Sequence, residues 1–284
     1  VNSGVRAGLY GCFLSIGVRR TRDTRHVDQR EELAIAGIAL DRALDPPERG
    51  EPSLGQVGEH LVVHEQHDLA ARLGTELGID KVIATAHKLG IEHELPPYAS
   101  TLLGAADLSP FELAQMYQTI ASGGFRVPLH AIRDVTTQDG KPLKRYPLAV
   151  EQAFPATPVY LLVAALQDVV REGTAKSMSD WLAPALGAAG KTGTTNDYRD
   201  AWFAGFTPDL LCVVWVGFDD NTPVGLSGTK AALPIWVDFM KAALGGSKPT
   251  PFPPPPEGIV YADIDRDTGL LATPACPRVR SEAF

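Results

Sequence analysis

Lys191, Thr192, Gly193 and Thr194 place an ammonium, two hydroxyls and an open stretch of backbone in four consecutive positions. Such a set can hold a carboxylate, because the ammonium supplies charge and the hydroxyls supply short donors. Gly193 leaves the backbone uncovered, so that a ligand can lie against it. A turn entering a strand would use the same residue types, since Gly and Thr are common in turns. Asp200, Trp202 and Phe203 follow, and read as a polar residue at a strand start and two aromatic core side chains.

Nucleophilic chemistry next to such a site needs a hydroxyl and an amine on one helix face, which a Ser-x-x-Lys spacing provides. Its one formal match is Ser227-Gly228-Thr229-Lys230, where Gly225 and Gly228 make a poor helix start. No Ser-x-Asn occurs anywhere in the chain. His60, His64 and His67 stand at i, i+4 and i+7, with Glu59 and Asp68 nearby. On a helix they would form a metal-binding face, whereas in a polar segment they are solvent-exposed side chains.

The elements that must position the quartet are legible on both sides of it. Ala201 to Phe206 and Leu210 to Phe218 are β-rich runs separated by Thr207-Pro208-Asp209, the pattern of an antiparallel hairpin. The second run is apolar on both faces and belongs inside a sheet. Upstream, Asp80 is placed to cap a helix carrying Val82, Ile83 and Ala86 and closed by Gly90. Ser109, Pro110 and Glu112 form a capping box, ended by Gly123 and Gly124. Thr157-Pro158 repeats the start signal, and Leu161, Leu162, Ala165, Leu166, Val169 and Val170 predict a core face reaching Gly173. Pro234 opens a last helix through Leu244, six prolines between Gly245 and Glu257 predict an extended linker, and Gly258 to Asp265 reads as a strand before a turn at Asp267-Thr268-Gly269.

A chain of 284 residues, 44% of them hydrophobic, can bury a sizeable core. Its net charge of −8 argues against a nucleic-acid surface, which needs clustered cations. Cys12, Cys212 and Cys276 are too few and too scattered for a disulfide framework or a zinc site. The apolar run from Leu9 to Val18 is too short to span a bilayer, and Arg19, Arg20 and Arg22 follow it where a signal peptide would be preceded by charge. Neither signal nor anchor is visible, and the chain reads as a fragment.

Several stretches together resemble one family, the bifunctional (class A) penicillin-binding proteins. KTGTTNDYRDAWFAGFTPDLLCVVWVGFDDN resembles the third motif of their transpeptidase domain and the hairpin after it. LGIDKVIATAHKLGI and LLGAADLSPFELAQMYQTIASGG resemble the segment between their second and third motifs. AALPIWVDFMKAAL, the proline run and DIDRDTGLLATPACP with SEAF resemble the domain end and tail. The resemblance implies an α/β (α+β) fold, an antiparallel sheet flanked by helices, incomplete at its N-terminus. It divides the chain into a partial transpeptidase domain over residues 72–244, a linker over 245–257 and a tail over 258–284. Residues 1–71 carry no resemblance, and their sequence shows no core element apart from a helix expected over Glu31 to Leu44. A shifted reading frame before about Ala70, or disorder, would account for their composition.

The function implied is D-Ala-D-Ala transpeptidation in peptidoglycan synthesis through a serine acyl-enzyme. Lys191 would set positive potential, the Thr192 and Thr194 hydroxyls would bond the terminal carboxylate, and Gly193 would admit the substrate backbone. The Thr194 N–H would supply half of an oxyanion hole. Partners implied are a stem peptide ending in D-Ala-D-Ala and β-lactams, with no metal or organic cofactor. A membrane anchor and a glycosyltransferase domain are expected only outside this chain, with the site facing the periplasm or cell exterior. In the family the nucleophile lies upstream, and Ser227 with Lys230 does not occupy that place. Alternatives are a non-catalytic binding remnant or scaffold, a D,D-carboxypeptidase or β-lactamase, and a metal-binding N-terminal module.

Overall fold

A computed structural model describes residues 10–17, 70–132, 134–180, 187–245, 248 and 250–284. The long apolar runs after Lys191 form the two inner strands of a four-stranded sheet, in the order β1 (Tyr10–Gly17), β8 (Leu210–Gly217), β7 (Ala201–Phe206) and β6 (Ala189–Thr194). β6, β7 and β8 are antiparallel, as the hairpin signals require, and β8 is interior to the sheet. β1 joins β8 in parallel, from Tyr10 opposite Leu210 to Gly17 opposite Gly217. Thus residues 1–71, read from sequence as lacking any core element outside a helix over Glu31 to Leu44, contribute a strand. A continuous apolar run has no period that separates strand from helix, and its partner lies far along the chain. The helix expected over Glu31 to Leu44 lies outside the described residues.

Both faces of the sheet are covered. Alternate residues of β7 point to opposite sides, so Phe203 enters one core and Ala204 and Phe206 the other. On the first side α5 (Ala232–Leu244) lays Trp236, Val237 and Met240 against Phe203, Cys212 and Val214, with Val170, Ala175 and Met178 completing the cluster. The Trp236 indole packs edge-on to Phe203, with ring centroids 5.1 Å apart, and its N–H reaches the carbonyls of Gly205 and Cys212, both at 3.1 Å. On the second side α3 (Pro110–Ala121) brings Ala114, Tyr117 and Ile120, and α4 (Ala156–Arg171) brings Val159 and Leu166.

Helix starts differ in how much local sequence decides them. At α3 the capping box forms as expected: the Glu112 N–H donates to Ser109 Oγ, and the Ser109 N–H donates to the Glu112 carboxylate. Asp80 does not cap α2 (Ile79–Leu89). Residues 70–77 are already helical as α1, the break falls on Gly78 at φ 95°, and Asp80 sits in the first turn, where its charge faces the helix dipole. Gly90 ends α2 in the left-handed region, as expected. Thr157 lies inside α4, which Pro155 precedes without any side-chain cap. The buried stripe of α4 is Val159, Leu166 and Val170 with Val163 packed beside it, while Leu162 and Ala165 are exposed on its flank. Helix α5 begins before Pro234, which falls in its first turn.

Short pairs complete the chain: β2 (Phe125–Arg126) with β5 (Glu151–Gln152), β3 (Asp134–Thr136) with β4 (Pro142–Arg145), and β9 (Tyr261–Asp265) with β10 (Val279–Ala283). The proline-rich stretch touches the domain through Thr250, whose hydroxyl donates to Asp209 at 2.7 Å, and through Phe252 against Phe206.

Candidate carboxylate-binding site

β6 starts buried at Ala189 and Gly190 and emerges toward solvent at Lys191–Thr194. Its pairing with β7 sets Lys191 opposite Ala204, Thr192 opposite Phe203, Gly193 opposite Trp202 and Thr194 opposite Ala201. Side chains alternate along a strand, so Thr192 and Thr194 share the face carrying Phe203, while Lys191 and Gly193 share the face carrying Trp202. Among the described residues no strand pairs with the outer edge of β6.

On the Thr192 face the hydroxyls are already organised. Thr192 Oγ1 lies 2.8 Å from Thr174 Oγ1, on the segment leaving α4. Thr229 Oγ1 donates to the Thr174 carbonyl at 3.2 Å. Thr194 Oγ1 accepts the Gly228 N–H at 2.9 Å. Gly228 presses on the strand itself: a Cβ there would come within 2.4 Å of the Gly193 carbonyl and 2.5 Å of the Trp202 carbonyl. A Cβ on Gly193 would stand 3.1 Å from Trp202 Cβ.

The Lys191 ammonium turns back along its own strand, donating to the Thr192 carbonyl at 2.9 Å and reaching Thr192 Oγ1 at 3.4 Å. Part of the side chain stays in water. Loss of water around the rest nonetheless pushes its pKa below the ordinary lysine value. No ion pair to Lys191 forms among the described residues, so its charge remains open to an anion.

Beyond Thr194 the chain turns sharply. Asp197 and Tyr198 both take positive φ, 59° and 53°, a conformation that costs energy in residues with a side chain. The turn is held at both ends. The N–H groups of Val224 and Gly225 donate to the Tyr198 carbonyl at 2.8 and 3.1 Å. Asp200 accepts the Trp215 indole N–H at 2.9 Å and the Thr195 hydroxyl at 3.2 Å, and its own N–H donates to Thr195 Oγ1 at 2.8 Å. Asp200 is therefore a clamp between β6, β7 and β8. Phe203 is fully buried and Trp202 half-buried.

Ser227 and Lys230 lie in the turn entering α5, where the N–H groups of Lys230 and Ala231 both donate to the Ser227 carbonyl at 2.9 Å. Their side chains share no hydrogen bond. The turn thus brings Gly228 and Thr229 to the quartet, a role that sequence reasoning gave to neither of them nor to Thr174. Thr174 follows Gly173, whose signal was only the end of a helix, and its partner is on another element. His60, His64 and His67 lie outside the described residues. Among the described residues no group of three His, Cys, Asp or Glu side chains is placed to hold a metal ion. No helix among them is long and apolar enough to cross a membrane.

Comparison with known proteins extends this geometry. Residues 69–241 match the family described as penicillin binding protein transpeptidase domain, and residues 255–284 match the penicillin-binding protein 1A C-terminal domain. The chain is 42% identical over 203 residues to penicillin-binding protein 1B of Escherichia coli (strain K12), covering 71% of this chain and 24% of that protein. It is 34% identical over 224 residues to penicillin-binding protein 1A of Aquifex aeolicus (strain VF5), covering 78% and 30%. The crystal structure of penicillin-binding protein 1A from Haemophilus influenzae superposes with a TM-score of 0.69 at 26% identity, over 77% of this chain and 38% of that one. The chain therefore spans about a quarter to a third of the length of these relatives.

Proposed function

The chain belongs to the penicillin-binding protein transpeptidase family, and on that premise we propose that its β6 strand recognises the terminal carboxylate of an acyl-D-alanyl-D-alanine stem peptide during peptidoglycan cross-linking. The observation that carries this reading is the placement of Lys191, Thr192 and Thr194 on a strand whose outer edge is unpaired among the described residues. An extended peptide can add to that edge through backbone hydrogen bonds, ending with its carboxylate beside an ammonium that has no ion-pair partner among the described residues. A carboxylate only accepts, and the Lys191 ammonium and the Thr192 and Thr194 hydroxyls can each donate to it. The Thr194 N–H is the candidate for half of an oxyanion hole. A β-lactam, which presents a carboxylate beside a strained acyl group, would occupy the same strand.

Acyl transfer also needs an activated serine. Ser227 is tied into a turn through its carbonyl, which accepts the Lys230 and Ala231 N–H groups, and no hydrogen bond joins the Ser227 and Lys230 side chains. That observation favours a second reading, in which the described residues form a binding half-site and do not acylate. Incubation with a fluorescent penicillin, followed by denaturing electrophoresis and intact mass, separates the two. A covalent adduct supports acylation and its peptide map names the serine. Saturable binding without an adduct supports the half-site. In either case the site would face the periplasm or the outer side of the cytoplasmic membrane, where the peptidoglycan substrate resides.

A further inference from the structure

We propose that Thr174 is a positioning residue for carboxylate recognition, acting through Thr192. The inference rests on the carboxylate-binding reading of β6 and adds to it a residue from a different element. Thr174 Oγ1 lies 2.8 Å from Thr192 Oγ1, and the Thr174 carbonyl accepts the Thr229 hydroxyl at 3.2 Å. Thr174 therefore joins three parts of the chain: the segment after α4, the strand β6 and the turn before α5.

The segment that carries it is fixed. The Gly173 N–H donates to the carbonyls of Asp168 and Val169, and the Ala175 N–H also reaches the Val169 carbonyl. A Cβ on Gly173 would stand 2.8 Å from Val169 Cα, so the chain passes where only glycine fits. Directly after Thr174, Ala175 is wholly buried and Met178 nearly so, both in the core beneath α5. The backbone is thus anchored while the Thr174 side chain stays at the surface.

Proton accounting gives the hydroxyl pair a direction. A bound carboxylate has no proton to give, so a Thr192 that bonds it must spend its single O–H on it. Thr192 Oγ1 can then only accept from Thr174 and from the Lys191 ammonium, 3.4 Å away. The chain runs Thr174 to Thr192 to carboxylate, each bond polarising the next. Without the Thr174 hydroxyl, Thr192 loses the partner that selects its χ1 rotamer before ligand arrives.

Three-bond couplings from Thr192 Cγ2 to its backbone N and carbonyl C, measured by NMR on the labelled protein, test this without ligand. The expected result is a single staggered rotamer in wild type and in Thr174→Ser, with averaged couplings in the isosteric Thr174→Val. Unchanged couplings in Thr174→Val would overturn the proposal. With an N-acetylated peptide ending in D-Ala-D-Ala, Thr174→Val should bind about five-fold more weakly, the factor one net hydrogen bond provides, and Thr174→Ser should restore affinity. Equal affinity of Thr174→Val and wild type would also overturn it. If neither wild type nor variants bind the peptide while the couplings still change, the carboxylate reading of β6 fails and the positioning of Thr192 stands.

Discussion

At the scale of single residues, the proposed carboxylate site rests on one partly desolvated cation. Loss of water around Lys191 lowers its pKa, so the folded protein releases this proton before the unfolded chain does. Stability therefore rises as pH passes from the folded value up to the ordinary lysine value. Anion affinity changes the other way, because the charge that attracts the ligand disappears. Binding of a carboxylate ligand should fall with rising pH before an ordinary lysine would titrate, and Lys191→Gln should bind weakly with no such fall. A pH titration of affinity on both proteins checks this. The Lys191–Thr194 quartet was legible as a candidate carboxylate site because residue type and spacing are local information. Thr174, Thr229 and the indole bond to Asp200 were not, because each acquires its role from a partner brought in by folding.

At the scale of elements, local signals held where they fixed backbone hydrogen bonds by themselves. The α3 capping box is such a case, and Ser109→Ala should cost about 0.5–2 kcal/mol, read from chemical denaturation. Burial would raise the Glu112 carboxyl, but hydrogen bonds from His93 and Ser109 outweigh it and hold the pKa below the usual value. This contribution is present above the unfolded glutamate pKa and is lost as pH falls through the folded one. The start of α4 was misplaced because proline fixes φ equally well just before a helix and inside its first turn, and the core beneath Val159 decided between them. Strand β1 escaped notice because pairing with β8 needs a partner that sequence period cannot reveal. The turn before α5 offers a sharper test. Gly228→Ala would drive a Cβ into two backbone carbonyls of β6 and β7 and disturb the Thr194 hydroxyl. It should destabilise by about 1–3 kcal/mol, and Thr194→Val should reproduce the loss of binding with less effect on the melt.

At the scale of the molecule, one sheet covered on both faces carries the candidate site on its outer strand, and the C-terminal strand pair leans on α4 and the residue after it. Arg266 pairs with Glu172 at 2.5 Å, Arg280 lies 3.8 Å from Glu172 and 3.9 Å from Asp168, and the Tyr160 and Tyr261 hydroxyls meet at 2.5 Å. These groups are partly exposed, so Arg266→Gln should cost under about 1 kcal/mol and lose even that effect in high salt. Thermal melts at two salt concentrations check it. The central claim, that β6 binds a terminal carboxylate, is tested most directly by calorimetric titration with an N-acylated peptide ending in D-Ala-D-Ala, as the free acid and as its C-terminal amide. The account predicts saturable binding of the acid, much weaker binding of the amide, and loss of that difference in Lys191→Gln. Equal affinity for acid and amide, or a difference that survives in Lys191→Gln, would contradict it.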